Sequence, residues 1–296
     1  MKSMHYYNED LISQIHAMRV KDEATRCHYD YFTKEVDEDC RKKMVSWCFT
    51  IVDSFNLSRE SVWRAMDLLD RYLSSGKGLS SKVLENKQTF QLACTVCLYM
   101  AVKVYDDVEM TIGFLIKLCR NYYTESEVIK MEHDILFALK WSVAVSTPLD
   151  FVRLCLQLES DLIDEPATID RILEETQKQM DLATLDVYFA RFRHSSVGLA
   201  CLGAALEESG VPATLQEQFW LHLSSLLDFD IASREVRDIE RHLLLGSTII
   251  CNKTKRQSSH DVVLSKPSQK ESDQRNTSHS SEQTSPISIW NWTQSK

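Results

Sequence analysis

The sequence predicts an all-α protein: two five-helix bundles in tandem, a short N-terminal helix and a disordered C-terminal tail. Three observations carry this. Gly (7) and Pro (5) are scarce over 296 residues, so few residues interrupt long elements. Apolar positions recur at three- and four-residue spacing from about Asn8 to Leu245, the period of an amphipathic helix. Each half also holds one helix that is apolar on most sides, as the central member of a bundle must be.

Taken in order, Glu9 to Arg19 places Leu11, Ile12, Ile15 and Met18 on one stripe. A first bundle, residues 41–142, follows this N-terminal segment (1–40). Its first helix, about Arg41 to Phe55, aligns Met44, Val45, Cys48 and Val52. The second starts after Ser58, an expected N-cap, and aligns Val62, Ala65, Met66, Leu69 and Leu73. Gly76 and Gly78 among serines end it. The third, about Lys82 to Val104, is the apolar one. The fourth covers about Thr111 to Arg120. The fifth opens on Thr124 and Glu127, a T-x-x-E capping box.

The second bundle, residues 147–245, opens on Thr147-Pro148-Leu149-Asp150, with Thr at N-cap, Pro at N1 and an acid at N3. Helices are expected over about Pro148 to Leu158, Pro166 to Leu185, His194 to Ser209, Thr214 to Leu227 and Ser233 to Leu245. SSVGLACLGAALE in the third of these is apolar and rich in small residues, which let helix axes approach closely. Residues 252–296 lose the periodicity and are rich in Ser and Thr. Such a segment cannot bury enough surface to offset its ordering entropy. It contains Ser285-Pro286, a minimal site for a proline-directed kinase, and the pair Trp290 and Trp292.

Bulk properties exclude several function classes. The formal net charge is −9, against the basic face that a nucleic-acid binder needs. No run of about 18 apolar residues exists to span a membrane. The start MKSMHYYNEDLISQIH has no apolar h-region, so no secretory signal is expected. Nine Cys are spread along the chain and fit reduced thiols in an intracellular compartment, nucleus or cytoplasm. Cys94 and Cys97 form a lone CxxC without the second pair a zinc ribbon requires. They read as small apolar residues, and no metal or cofactor is expected.

Four stretches, in order and on the expected helices, resemble the cyclin family. Arg41-Lys-Lys-Met-Val-Ser-Trp47 is similar to the opening of a cyclin box. Leu68-Leu-Asp-Arg-Tyr-Leu-Ser74 is close to the family's LDRFLS. Gln91 to Lys103 looks like the third box helix with its terminal Ala-x-Lys, and Val128 to Leu136 looks like the fifth, with its Met-Glu. Leu139-Lys140-Trp141 followed by Thr147-Pro148-x-x-Phe151 is most similar to the G1, D-type branch. The resemblance covers about residues 7 to 245.

It implies a non-catalytic regulatory subunit that binds and activates a cyclin-dependent protein kinase and controls cell-cycle progression, in the manner of a G1/S cyclin. The kinase-binding residues it implies are Lys103 and Glu132, as charged anchors, with Leu136 and Trp141 as apolar contacts. Many cyclins also dock Arg-x-Leu substrates or inhibitors in a groove on the first helix. The aligned positions here are Arg41, Met44, Trp47 and Gln91, but Lys43 stands where an apolar wall is expected and Thr50 where an acid receives the Arg. Docking by this groove is therefore expected to be impaired. Two other readings remain. One is a cyclin-fold transcription or adaptor protein that activates no kinase. The other is an HD-type metal phosphohydrolase built on His133-Asp134, for which the remaining histidines show no matching ligand pattern.

Overall fold

The computed structural model describes residues 2–25, 30–227 and 233–245, with side chains from residue 8 onward. The tail 252–296, including Ser285, Trp290 and Trp292, lies outside the described residues. Among the described residues all regular structure is helical, and no helix is long and apolar enough to cross a membrane.

The order is α1 (Lys2–Thr25), α2 (Glu38–Ser54), α3 (Glu60–Ser74), the single turn α4 (Ser80–Val83), α5 (Lys87–Tyr105), α6 (Ile112–Leu118) and α7 (Glu125–Ala138). Then come α8 (Pro148–Leu158), α9 (Pro166–Leu185), a 3₁₀ turn (Val187–Arg191), α10 (His194–Glu208) and α11 (Ala213–Leu226). A last helix, α12, covers 234–245. α5 is buried continuously from Phe90 to Val102 and packs on α2, α3, α4 and α7. α10 plays the same part against α8 and α9. Its Gly198 is needed there: a Cβ would stand 2.6 Å from the Pro148 carbonyl oxygen, so α10 reaches the start of α8 only without a side chain.

Both expected capping boxes form. Thr124 with Glu127, and Thr147 with Asp150, each make the reciprocal pair of bonds. Three local expectations are corrected. The stretch expected as one helix from Lys82 is broken, because Asn86 accepts from the N–H groups of Gln88 and Thr89 and so starts α5 afresh. α2 starts at Glu38 instead of Arg41, since Asp37 caps it by accepting from Cys40 N–H. Arg59, not Ser58, occupies the N-cap place of α3, although the Ser58 hydroxyl does accept from Glu60 N–H at 3.2 Å.

Charged contacts tie the bundles together. Arg59 bridges Asp53 and Asp181, Arg64 reaches Asp150 at 3.3 Å, and Trp63 Nε1–H donates to Asp181 at 3.0 Å. α1 extends past its expected end at Arg19 and packs on α8 and α10. Lys21 donates to the Ala144 carbonyl in the linker. Asp22 is buried and accepts from the N–H groups of His194 and Ser195, each at 3.0 Å. It thus caps α10, whose own N-cap residue Arg193 provides no side-chain bond.

Candidate functional site

α7 is anchored at its start by the Thr124 capping box and inward by Val128, Met131, Ile135 and Ala138. That three- and four-residue spacing fixes the rotation of the helix. The adjoining stripe, Ile129, Glu132, His133, Leu136 and Phe137, is consequently turned away from the core. Ile129 and Phe137 are exposed large apolar residues, while Leu136 is half-buried and packs on the core edge.

Lys103 emerges where the buried run of α5 ends. Its Nζ lies 2.6 Å from Glu132 Oε1 and 5.0 Å from the centre of the Tyr99 ring. The lysine side chain is half exposed and that of Glu132 mostly covered. Burial alone would lower the Lys103 pKa, but the Glu132 hydrogen bond and charge outweigh it and hold the ammonium above its usual value. The Lys103 ammonium has further N–H donors beyond the one given to Glu132, and the Glu132 carboxylate has a second oxygen.

Beyond α7 the chain takes two successive left-handed residues, Lys140 (φ 51°) and Trp141 (φ 62°). Trp141 N–H closes back to the Leu136 carbonyl at 2.8 Å. This turn leaves the indole 62% exposed, edge-on to Phe137 with ring centres 6.2 Å apart. Phe137 in turn packs on His133 at 4.4 Å. The structure thus brings Lys103, Glu132, Leu136 and Trp141 to one side of the first bundle. Ile129, His133 and Phe137, which the sequence does not single out as kinase contacts, lie on the same stripe of α7. The sequence shows that α7 carries more apolar residues than one stripe needs, but not which of them stay uncovered.

The other expected groove is differently placed. Arg41 is buried and gives Nε to Asp70 Oδ1 (2.9 Å), Nη2 to Asp70 Oδ2 (2.7 Å) and Nη1 to the Thr184 carbonyl (2.8 Å). Tyr31 donates to the same Asp70 at 2.6 Å. Met44, Trp47 and Gln91 are also buried. None of the four presents a side chain at the surface, and the arginine is spent on an internal pair. Lys43 pairs with Asp39 at 2.7 Å.

His133 and Asp134 point apart. Asp134 accepts from Tyr72 O–H (2.6 Å) and Leu79 N–H (2.8 Å), which commits it to holding the loop after α3. Among the described residues no three His, Cys, Asp or Glu side chains are grouped to hold a metal. Cys94 and Cys97 are fully buried, and burial pushes the Cys97 thiol well up, the behaviour of an inert packing residue.

Residues 13–144, which contain this whole face, match the family described as cyclin, N-terminal domain. The first bundle carries a cyclin N-terminal domain. It is 25% identical to the G1/S-specific cyclin-D2 of Rattus norvegicus over 173 residues, 58% of this chain and 57% of that protein. It is 31% identical to the cyclin homolog of Saimiriine herpesvirus 2 over 131 residues, 43% of this chain and 49% of that protein. With the G2/mitotic-specific cyclin-B2 of Oryzias latipes it shares 25% identity over 214 residues, 72% of this chain and 51% of that protein. The chain spans about half the length of these relatives. Its fold is that of the X-ray structure of a viral cyclin from herpesvirus saimiri, with a TM-score of 0.62 and 22% identity, over 78% of this chain and 97% of the other.

Proposed function

We propose that this cyclin is a non-catalytic regulatory subunit that binds a cyclin-dependent protein kinase through the α5–α7 face and activates it, in the G1/S part of the cell cycle. One observation carries the reading: the Lys103–Glu132 pair stands beside an uncovered apolar ridge of Ile129, Phe137 and Trp141. Polar anchors beside bulky apolar contacts are the composition of an interface hot spot. The G1/S assignment is supported by Lys140-Trp141 and Thr147-Pro148-x-x-Phe151.

Such a kinase aligns its phosphates only when the Lys–Glu pair of its αC helix is formed. A subunit that binds only the inward position of that helix activates by differential affinity. Moving the kinase from 1:99 to 99:1 takes about 5.5 kcal/mol. A charged pair at the centre of an apolar contact is of that order when both charges find partners, since truncating one such charge costs roughly 2–5 kcal/mol. Target choice does not depend on an Arg-x-Leu groove in this reading, because Arg41, Met44, Trp47 and Gln91 are buried.

The test is a pull-down and histone-kinase assay across a panel of cyclin-dependent kinases, with Lys103→Ala and Glu132→Ala checked for folding by circular dichroism. At least one kinase should be bound and activated, and each variant should weaken it by tenfold or more. Binding to transcription factors with no kinase captured would favour the adaptor reading instead.

A further inference from the structure

The second bundle carries a cavity of about 320 Å³ between the starts of α9 and α11 and the end of α10. It is built from residues 162–215, none of which belongs to the α5–α7 face. Ile163, Val211 and Leu215 supply an apolar wall, and Asp164, Glu165, Arg171 and Ser209 supply polar groups.

Ser209 gives the reason to expect a ligand. It ends α10 and is only 4% exposed, yet its hydroxyl has no hydrogen-bond partner. The carbonyls behind it in the helix are already served. Ala205 accepts from the Ser209 N–H at 2.9 Å, and Leu206 accepts from the Val211 N–H at 3.3 Å and from the Gln216 amide at 3.4 Å. A buried hydroxyl left without a partner costs stability, and this one borders a space large enough for a small molecule.

The other groups select an anion. Arg171 is exposed at the cavity, and no carboxylate or carbonyl among the described residues engages its guanidinium. α9 and α11 both begin at the cavity, and neither N-cap residue, Glu165 or Pro212, bonds its first turn through a side chain. Helix starts of this kind favour negative charge. Asp164 and Glu165 oppose it, but both are exposed to water, which screens them. Glu165 also accepts from Thr168 Oγ1 at 2.6 Å. The two acids weigh against a doubly charged phosphate more than against a single charge. A carboxylate is singly charged, and its two oxygens match the fork of a guanidinium.

We propose that this cavity binds a small monocarboxylate with an apolar body. Its oxygens accept from Arg171 and from the Ser209 hydroxyl, and its body lies against Ile163, Val211 and Leu215.

The test is NMR of the full chain labelled at the Ile, Leu and Val methyls, titrated separately with phenylacetate, phenylethanol and inorganic phosphate. The Ile163, Val211 and Leu215 signals should shift saturably with the carboxylate, at an affinity about tenfold or more above that of the alcohol or of phosphate. Arg171→Gln, at an exposed position, should weaken binding about tenfold. Ser209→Ala should weaken it about tenfold and leave the thermal midpoint of the free protein unchanged or raised, because the hydroxyl it removes has no partner to lose. A merely structural serine would give the opposite pair, unchanged binding and a lowered midpoint. The proposal is overturned by that pair, by the absence of a saturable shift, by alcohol or phosphate binding as tightly as the carboxylate, or by carboxylate binding that survives either substitution undiminished.

Discussion

Asp70→Ala should be among the most destabilising single substitutions in the molecule. Asp70 and Arg41 have side chains only 5% and 4% exposed. The substitution removes two bonds from Arg41 and one from Tyr31 and leaves a guanidinium in the interior. Burial disfavours the Arg41 charge, and chiefly the Asp70 charge and hydrogen bonds hold its pKa above the ordinary value. Breaking one side of a buried pair costs about 3–5 kcal/mol, a large share of the 5–15 kcal/mol that holds a typical protein folded. Arg41→Met should cost less, because a carboxylate left alone can take up a proton whereas a guanidinium cannot shed one. Urea unfolding followed by tryptophan fluorescence measures both. A loss below about 1 kcal/mol for Asp70→Ala, or a larger loss for Arg41→Met, would refute this reasoning.

Phe137→Ala should leave the urea midpoint nearly unchanged, because the ring is 58% exposed, yet weaken kinase binding by about tenfold in a titration; an unchanged affinity would exclude Phe137 from the interface. Gly78→Ala should destabilise by more than 1 kcal/mol as read by thermal melting, since φ is +60° and the new Cβ would stand 2.5 Å from an Asp134 oxygen. Burial raises the Glu159 pKa against the opposing pull of His222. A carboxylate with a raised folded pKa burdens the fold at neutral pH and is relieved as pH falls through that folded value. The stability of Glu159→Gln minus that of the wild type should therefore decline between pH 7.5 and pH 5, and an increase would contradict the assigned cause.

The parts legible in the sequence were those fixed by local chemistry. Thr124 and Thr147 announced their helices because a capping box is completed within four residues. The apolar stretch of α5 declared a central helix because no face of it suits water. What escaped depends on partners distant in sequence. Arg41 reads as a groove residue beside Met44 and Trp47, and only the fold brings Asp70 and the Thr184 carbonyl to it. The start of α5 was missed because no Gly or Pro interrupts residues 82–104, while the deciding feature is one Asn86 side chain turned onto backbone N–H groups just after it. Phe137 escaped for a different reason: periodicity identifies apolar residues but does not say which a bundle has room to bury.

The cap that Asp22 places on α10 gives the order of synthesis a structural meaning. Its carboxylate leaves the ribosome early, and the His194 N–H it serves is 172 residues further along the chain. Until that stretch has been made, α10 has no side chain at its start and Asp22 has no helix to cap. During translation the second bundle acquires its proper beginning only when an earlier part of the chain folds back onto a later one. α1 therefore records, in one buried carboxylate, that it and the start of α10 have both been made and have met.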